Sequence, residues 1–193
     1  MKLHIVMVEP EIPQNTGNIA RTCAITGAKL HLVYPLGFKI DDKQLKRAGL
    51  DYWDKLEIEE HISLNAFLEK YKPEEHNMFM ATTKAKHCYT DVDYSKFKDE
   101  DVFILFGKET KGLPEDLLQK YIDKTIRIPM RPVLRSLNLS NSVCVIAYEI
   151  LRQINFEGLQ EESQYFDEKI STIKKLYSYV TNKKTIWFTK QGQ

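Results

Sequence analysis

The feature that most constrains the fold is a regular alternation between short, uninterrupted apolar stretches and amphipathic stretches. The apolar stretches have the length of strands and show no apolar-polar alternation, which is typical of strands buried on both faces. We predict strands over residues 2–9, 28–35, 77–83, 101–107 and 124–130. We predict helices over residues 15–27, 41–49, 62–71, 114–121 and 136–153. This order indicates an α/β fold with a mostly parallel sheet flanked by helices.

The C-terminal part of the 193-residue chain has a different character. Residues 169–193 contain six lysines and neither Asp nor Glu, and apolar residues recur there at helical spacing. We therefore predict a main domain over residues 1–153 and an extension over residues 154–193 with a basic amphipathic helix. Such a helix suits packing against the main domain. That is the interpretation we favour, and the alternative is binding of a single-stranded RNA loop through lysines and aromatic rings.

Composition narrows the class of protein. Hydrophobic residues make up 42% of the chain and charged residues 28%, as in soluble proteins with a packed core. No apolar run approaches the length of a membrane-spanning helix, so we expect a cytoplasmic protein without membrane attachment. Cys23, Cys88 and Cys144 lie far apart, which favours buried free thiols in a reducing compartment. The net charge of +1 does not by itself indicate nucleic-acid binding, although a local basic patch suffices to bind phosphates.

An unusual loop, FGKETKG, follows the predicted strand over residues 101–107. A phosphate-binding P-loop requires a further upstream Gly and a Ser or Thr after the Lys, but Glu109 stands there and would repel phosphate. Glycines at the carboxyl end of a strand still allow close approach of a ligand or a positive φ, as Gly107 and Gly112 would here. The plainer interpretation is a tight strand-to-helix turn with a solvated Glu109.

Two further polar loops follow predicted strands. The stretch PQNTGNIART places Asn15 and Asn18 around Gly17, with Arg21 one helical turn beyond. The stretch RSLNLSNS, around the start of the helix predicted over residues 136–153, contains more small polar residues than capping requires. Such residues at a helix N-terminus suit a polar ligand. Each residue taken alone is equally consistent with a cap, a turn or a surface position.

Together, PQNTGNIART, FGKETKG and RSLNLSNS occur in the order and at the separations found in the SPOUT superfamily of RNA methyltransferases. The chain most resembles the TrmL group, the tRNA 2′-O-methyltransferases that modify wobble nucleotide 34. The resemblance spans residues 2–153 and includes the stretch 37–53. It implies a C-terminal trefoil knot, S-adenosyl-L-methionine as the methyl donor, the anticodon loop of tRNA as the substrate, and a homodimer whose active sites use both subunits.

The resemblance also implies individual site residues. Arg21 would be the catalytic arginine, and the active centre would be completed by Asn15, Glu109, Ser136 and Asn138. The implied cofactor positions are Ala81, Thr82, Gly107, Gly112, Ile128, Met130, Ser136 and Leu137. The implied RNA-binding positions are Asn18, Lys43, Lys46, Arg47 and Arg135. Because a guanidinium keeps its proton in proteins, we expect Arg21 to position the ribose hydroxyl and the adjacent phosphate, while a phosphate oxygen or a water accepts the proton.

Two features depart from the group. Val133-Leu134 stand where its members have polar residues, and residues 154–193 continue beyond the last helix of the main domain. The first departure affects the RNA contacts expected near Arg135 more than cofactor binding.

Three other interpretations are kept beside this one. Methylation of another tRNA position or of ribosomal RNA would use the same site. A non-catalytic RNA-binding protein with this fold would not need all four of Arg21, Glu109, Ser136 and Asn138. A dinucleotide-dependent enzyme should show G-x-G-x-x-G after the first strand, and the chain lacks it. We expect no metal site, because the five histidines are scattered along the chain and His87-Cys88 lacks metal-ligand spacing.

Overall fold

The computed structural model of the protein describes residues 1–39, 56–132, 136–166, 169–175 and 177. The chain divides into two compact units, Met1–Glu157 and Gly158–Gln193. The strands of the first unit are β1 (Lys2–Val8), β2 (Lys29–Val33), β3 (Ile58–His61), β4 (Asn77–Ala81), β5 (His87–Cys88), β6 (Asp101–Gly107) and β7 (Thr125–Arg127). Its helices are α1 (Pro13–Thr26), α2 (Leu64–Lys70), α3 (Glu115–Lys120) and α4 (Leu139–Gln153), with 3-10 turns at Tyr89–Asp91, Tyr94–Phe97 and Ile122–Lys124.

The seven strands found in the described residues belong to one sheet, in the order β3-β2-β1-β6-β4-β7-β5. Every neighbouring pair is parallel, which confirms the α/β class and the mostly parallel sheet predicted from sequence. The carboxyl ends of β1, β6, β4 and β7 consequently lie side by side along one edge of the sheet. The trefoil knot stays a prediction.

Both faces of the sheet are covered, which explains why the strands are continuously apolar. Leu3, Ile5 and Met7 of β1 pack in one core with buried residues of α1 and α4. Val6 and Val8 of the same strand face a second core with buried residues of α2 and α3. Because side chains alternate between the faces of a strand, a strand between two cores has no solvent-exposed face, and mostly apolar residues follow one another along it.

The helix limits follow local chemistry. Helix α1 begins at Pro13, where a missing N–H costs nothing, and ends at Gly27, whose φ of 72° is the left-handed conformation that glycine tolerates. Helix α2 is capped by Ser63, whose hydroxyl oxygen accepts from the N–H of Ala66 at 3.1 Å.

Most predicted elements agree with the observed ones to within a few residues. The predicted helix over residues 41–49 lies outside the described residues. Strands β3 and β5 were not predicted, because β3 has the polar sequence IEEH and β5 is only two residues long. Helix α4 begins at Leu139 and not at residue 136, since Asn138 is its extended cap.

The cysteine prediction is partly wrong. All three cysteines are free thiols, but only Cys23 is buried, while Cys88 is partly exposed and Cys144 is exposed. Cys144 follows Val143, which faces the core, and one step along a helix rotates the side chain by about 100° toward solvent.

The second unit contains helical residues at 165–166, 169–175 and 177. Ile170 and Ile173 lie on this helical segment with 49% and 56% of their surface exposed. Across the described residues, every helix falls short of the length and hydropathy that spanning a membrane requires.

Candidate functional site

A cavity of about 570 Å³ opens at the carboxyl edge of the sheet. Its walls come from the loops that follow β1, β4, β6 and β7 and from the start of α4. Ligand sites of parallel α/β sheets lie at this edge, and the volume suits a ligand of the size of a nucleoside derivative.

The structure brings most of the sequence-predicted site residues to this cavity. All the implied cofactor positions line it, namely Ala81, Thr82, Gly107, Gly112, Ile128, Met130, Ser136 and Leu137. Asn15, Glu109 and Asn138 line it as well.

Two predicted residues lie elsewhere, and four cannot be placed. Asn18 and Arg21 do not contribute to the lining among the described residues; they lie on the exposed side of α1. Exposed positions recur along α1 every three or four residues, at Gln14, Asn18, Arg21 and Ile25. The positions between them are mostly buried. Outside the described residues lie Lys43, Lys46, Arg47 and Arg135.

Gly107 is the point where β6 turns into the cavity wall. Its φ is 114°, and a Cβ built on it would stand 2.2 Å from the backbone oxygen of Val8 on the neighbouring strand. No side chain fits there. The close approach that sequence analysis expected at this glycine is therefore made with β1, and it brings the two strand ends and their loops together.

Three loops are joined by a chain of side-chain hydrogen bonds beside the cavity. The Glu109 carboxylate accepts from the side-chain amide of Asn15 at 3.2 Å and from the backbone N–H groups of Glu11 at 2.8 Å and Ile12 at 3.3 Å. The Asn15 side-chain oxygen accepts from the Asn138 amide at 3.0 Å. Glu109 is thus not merely a solvated residue of a turn.

Asn138 has two roles in one side chain. Its oxygen caps α4 by accepting from the N–H groups of Ser140 at 2.9 Å and Asn141 at 3.3 Å. Its amide nitrogen donates to Asn15. Capping therefore explains Asn138, and the Ser140 hydroxyl also donates to the Asn138 side-chain oxygen at 2.7 Å. Of the other small polar residues at this helix start, Ser136 and Ser142 line the cavity.

Two contacts that join the β1 and β6 loops were not predicted from the sequence. The Lys108 ammonium forms an ion pair with Glu9, and the Glu11 carboxylate accepts hydrogen bonds from Thr110. The available signal was positional. Glu9 and Glu11 follow the end of β1, and parallel strands that are neighbours place their following loops together, but the pairing of β1 with β6 is not readable from local pattern.

Three histidines that are far apart along the chain come together in the fold, which sequence did not predict. Nδ1 of His4 lies 2.8 Å from Nε2 of His31, and Nδ1 of His31 lies 3.0 Å from Nε2 of His61, so three buried imidazoles form a hydrogen-bonded row. Burial lowers the pKa of all three, that of His31 to about 3. They come together because β1, β2 and β3 are consecutive in the sheet.

The row ends beside Glu59. Ligand atoms of His31, Glu59 and His61 all lie within 4.8 Å of one another, a spacing that could hold a metal ion. The Glu59 carboxylate already accepts from the ammonium groups of Lys29 and Lys70, each at 2.7 Å. Burial would raise the pKa of Glu59, but the hydrogen bonds from Lys29, Lys70 and Tyr71 lower it to about 2. The ammonium groups of Lys29 and Lys70 balance the negative charge of the Glu59 carboxylate. We therefore interpret the cluster of His31, Glu59 and His61 as structural.

Matches to known proteins cover most of the first unit, and one of them extends beyond it. The profile of the SpoU rRNA Methylase family matches residues 2–148. A candidate tRNA (cytidine(34)-2′-O)-methyltransferase of Listeria monocytogenes is 53% identical over 170 residues, which cover 88% of this chain and 98% of that protein. The tRNA (cytidine(34)-2′-O)-methyltransferase of Burkholderia ambifaria is 46% identical over 156 residues, which cover 80% of this chain and 97% of that protein.

Solved structures share the fold. One that concerns the 2-OH methylation of C/U34 on tRNA superposes with a TM-score of 0.73 at 42% identity and covers 81% of this chain and 98% of its own. The SpoU methyltransferase AviRb from Streptomyces viridochromogenes, in complex with AdoMet, superposes with a TM-score of 0.68 at 22% identity and covers 80% of this chain and 61% of its own.

Proposed function

The chain belongs to the SpoU rRNA methylase family, and we propose that it methylates the ribose 2′-oxygen of nucleotide 34 in tRNA with S-adenosylmethionine as the methyl donor. One observation carries the proposal: the hydrogen-bonded chain Glu109–Asn15–Asn138 joins three loops around a single cavity at the carboxyl edge of the sheet. The naming of the relatives as cytidine-34 methyltransferases supports the choice of substrate and nucleotide. We propose the cytoplasm as the place of action, since the relatives are named as tRNA-modifying enzymes.

The cavity suits the proposed cofactor. Ile128 and Leu137 offer apolar surface for a flat base, and Thr82 and Ser136 offer hydroxyl groups for a ribose or an amino acid moiety. The loop from Gly107 to Gly112 offers backbone without bulky side chains at its ends. When bound, S-adenosylmethionine supplies a methyl group on a sulfonium centre, with a neutral thioether as the leaving group.

Glu109 acts in this proposal as an anchor. Its carboxylate already accepts three hydrogen bonds, two from backbone N–H groups and one from Asn15. A carboxylate held in this way keeps the β1 and β6 loops in register. Because transfer to an oxygen nucleophile depends strongly on alignment, residues that fix the loops contribute to rate without contacting the transferred group.

Arg21 positions the nucleotide. A guanidinium remains protonated near neutral pH, so it suits a phosphate group and not the removal of a proton. The proton of the ribose hydroxyl passes to a phosphate oxygen or to a water.

Arg21 lies on the exposed side of α1, and we propose that it serves the cavity of a second copy of the chain. Apolar residues are also exposed on the helices of this core: Ile25 is 51% exposed on α1, and Val145 and Tyr148 are 37% and 40% exposed on α4. Because α1 and α4 pack in one core, we propose that the exposed sides of both helices form the dimer surface. Burial of that surface in a homodimer would remove apolar area from water and bring Arg21 to the partner's cavity.

The proposal is tested by methyl transfer from labelled S-adenosylmethionine to unmodified tRNA, with the product mapped by nuclease digestion and mass spectrometry. We expect a 2′-O-methyl group at nucleotide 34. A methyl group mapped to another nucleotide would overturn the choice of position. Cofactor binding without transfer to any tRNA would overturn the choice of substrate.

A further inference from the structure

The β1 and β6 loops exchange hydrogen bonds reciprocally. The Glu11 carboxylate accepts from the backbone N–H of Thr110 at 2.9 Å, and the Thr110 hydroxyl lies 2.9 and 2.8 Å from its two oxygens. In return, the Glu109 carboxylate accepts from the N–H groups of Glu11 and Ile12. We call the four residues Glu11, Ile12, Glu109 and Thr110 the loop clasp.

The loop clasp restrains a segment that has freedom at both ends. Residues 107–112 form one wall of the cavity and are bounded by glycines with φ values of 114° and 73°. Within the segment, the N–H of Gly112 donates to the carbonyl of Lys108 at 2.9 Å, which keeps the turn compact but does not attach it to the body. Attachment comes from Glu109 and Thr110, together with the ion pair between Lys108 and Glu9.

Glu11 is itself held from the opposite side. The N–H of Gly37 donates to the carbonyl of Pro10 at 2.9 Å. A Cβ built on Gly37 would stand 2.8 Å from the Cα and 2.9 Å from the backbone oxygen of Glu11. The loop after β2 therefore packs directly against the backbone of Glu11, which gives its carboxylate a defined position from which to hold Thr110.

The Glu11 carboxylate is ionised, and in that form it accepts hydrogen bonds from Thr110. Hydrogen bonds from Thr110, first from its hydroxyl and then from its N–H, lower the pKa of Glu11. An ionised carboxylate accepts from both donors at neutral pH, and hydrogen bonds to a charged acceptor are stronger than those between neutral groups.

We propose that Glu11 is a positioning residue that sets the shape of the cofactor-binding loop 107–112 by holding Thr110. The role rests on the proposed function for the identity of the ligand, S-adenosylmethionine. Glu11 does not line the cavity, so it acts through Thr110 and Glu109, which do.

The test is the dissociation constant for S-adenosylmethionine, measured by calorimetry on the full chain without RNA. Glu11→Ala removes the acceptor, and we expect the dissociation constant to rise about tenfold, as for two lost hydrogen bonds. In Glu11→Gln, the side-chain oxygen can still accept from the Thr110 N–H, and the new amide N–H can donate to the Thr110 hydroxyl oxygen. We therefore expect this variant to keep most of the wild-type affinity. Glu75→Ala removes an exposed carboxylate that pairs with Lys72 outside the cavity and should leave the affinity unchanged.

The melting temperature of each variant separates positioning from folding. We expect Glu11→Ala to lose affinity while it melts close to the wild type, because its contacts are on the surface of a loop. Should Glu11→Ala fail to fold, Thr110→Val removes only the hydroxyl and should still weaken binding measurably.

The outcomes are distinct. Wild-type affinity in Glu11→Ala, or in Thr110→Val where that variant stands in for it, overturns the positioning role and leaves the proposed function intact. A wild-type protein that binds no S-adenosylmethionine overturns the proposed function and the positioning role with it. Loss of affinity in Glu11→Gln equal to that in Glu11→Ala contradicts the hydrogen-bond account, since the amide preserves both contacts.

Discussion

The side-chain amide of Asn138 donates a hydrogen bond to the side-chain oxygen of Asn15 at 3.0 Å, across 123 positions of sequence. The bond joins the start of α4 to the start of α1. Asn15 then donates to Glu109, so the loops after β1, β6 and β7 are fixed to one another. The three residues that make this connection also line the cavity.

Two substitutions of Asn138 should separate its roles. Asn138→Ala removes the cap and the bond to Asn15, and we expect the free energy of unfolding to fall by about 1 kcal/mol and methyl transfer to fall with it. Asn138→Asp keeps the capping oxygen but sets a carboxylate against the oxygen of Asn15. We therefore expect near wild-type stability with much reduced transfer.

Urea unfolding and initial transfer rates measure the two effects. Asn141→Ala, at an exposed neighbouring position, is the control and should change stability by less than about 0.5 kcal/mol. Full activity in Asn138→Asp would contradict the role of the Asn138–Asn15 bond.

Alanine substitutions of Gly107 and Gly112, at the two ends of the β6 loop, provide a matched comparison. Gly107→Ala would place a Cβ 2.2 Å from the backbone oxygen of Val8, so the two strand ends must separate, and we expect a loss of more than about 3 kcal/mol in the free energy of unfolding. At Gly112 the φ is 73° but nothing lies within 4 Å of an added Cβ, so Gly112→Ala should cost only about 1 kcal/mol. Denaturant unfolding of both variants provides the comparison, and equal losses would show that steric contact with Val8 is not the cause.

The row of His4, His31 and His61 predicts a pH dependence of stability. Burial lowers the pKa of His31 to about 3, below its ordinary value of 6.5. The unfolded chain then binds the proton first, so stability is complete above pH 6.5 and falls as the pH decreases toward 3. For His31 alone we expect a loss of about 2 kcal/mol between pH 7.5 and pH 5.0.

Other charged groups lie beside the row of histidines, so the measurement compares a variant of the row with a variant of a histidine outside it. A carboxylate oxygen of Asp101 lies 3.4 Å from Nε2 of His4, and one of Glu59 lies 3.4 Å from Nε2 of His61, with Lys29 beside Glu59. Unfolding free energies from urea titrations at the two pH values should show a smaller difference in His31→Phe than in the wild type. The exposed His87→Gln should behave as the wild type. An unchanged difference in His31→Phe would contradict the assignment to the row.

Mixed dimers test whether Arg21 serves the partner's cavity. Arg21→Ala and Asn138→Ala should each lose methyl transfer when alone. When both are co-expressed, half of the dimers are mixed and each mixed dimer has one complete site, so we expect about a quarter of the wild-type activity to return. An inactive mixture, with mixed dimers verified by two different tags, would place both residues in the same subunit's site.

The sequence predicts the layers of this fold well, for a physical reason. Strands such as β1 and β6 lie between two cores, and that environment favours consecutive apolar residues. Such runs are visible in the sequence without knowledge of the fold. Gly27 likewise marks the end of α1, since a left-handed residue is needed there.

Local pattern does not predict what depends on strand order. The row of histidines exists only because β1, β2 and β3 are adjacent, and the polar β3 gave no apolar signal. The contact between Glu11 and Thr110 spans 99 positions and requires that β1 lie beside β6. The positions of Ala81 and Met130 at the cavity came from family resemblance, because neither residue type has chemistry that would single it out.

The most direct test of the account changes a single oxygen atom of the substrate. Two full-length tRNAs are assembled by ligation, identical except that nucleotide 34 of the second carries hydrogen in place of the 2′-hydroxyl. Transfer of label from S-adenosylmethionine is then measured for both under the same conditions. We predict methylation of the first tRNA and none of the second. Equal transfer to both would contradict it, because the methylated atom would then lie elsewhere in the tRNA.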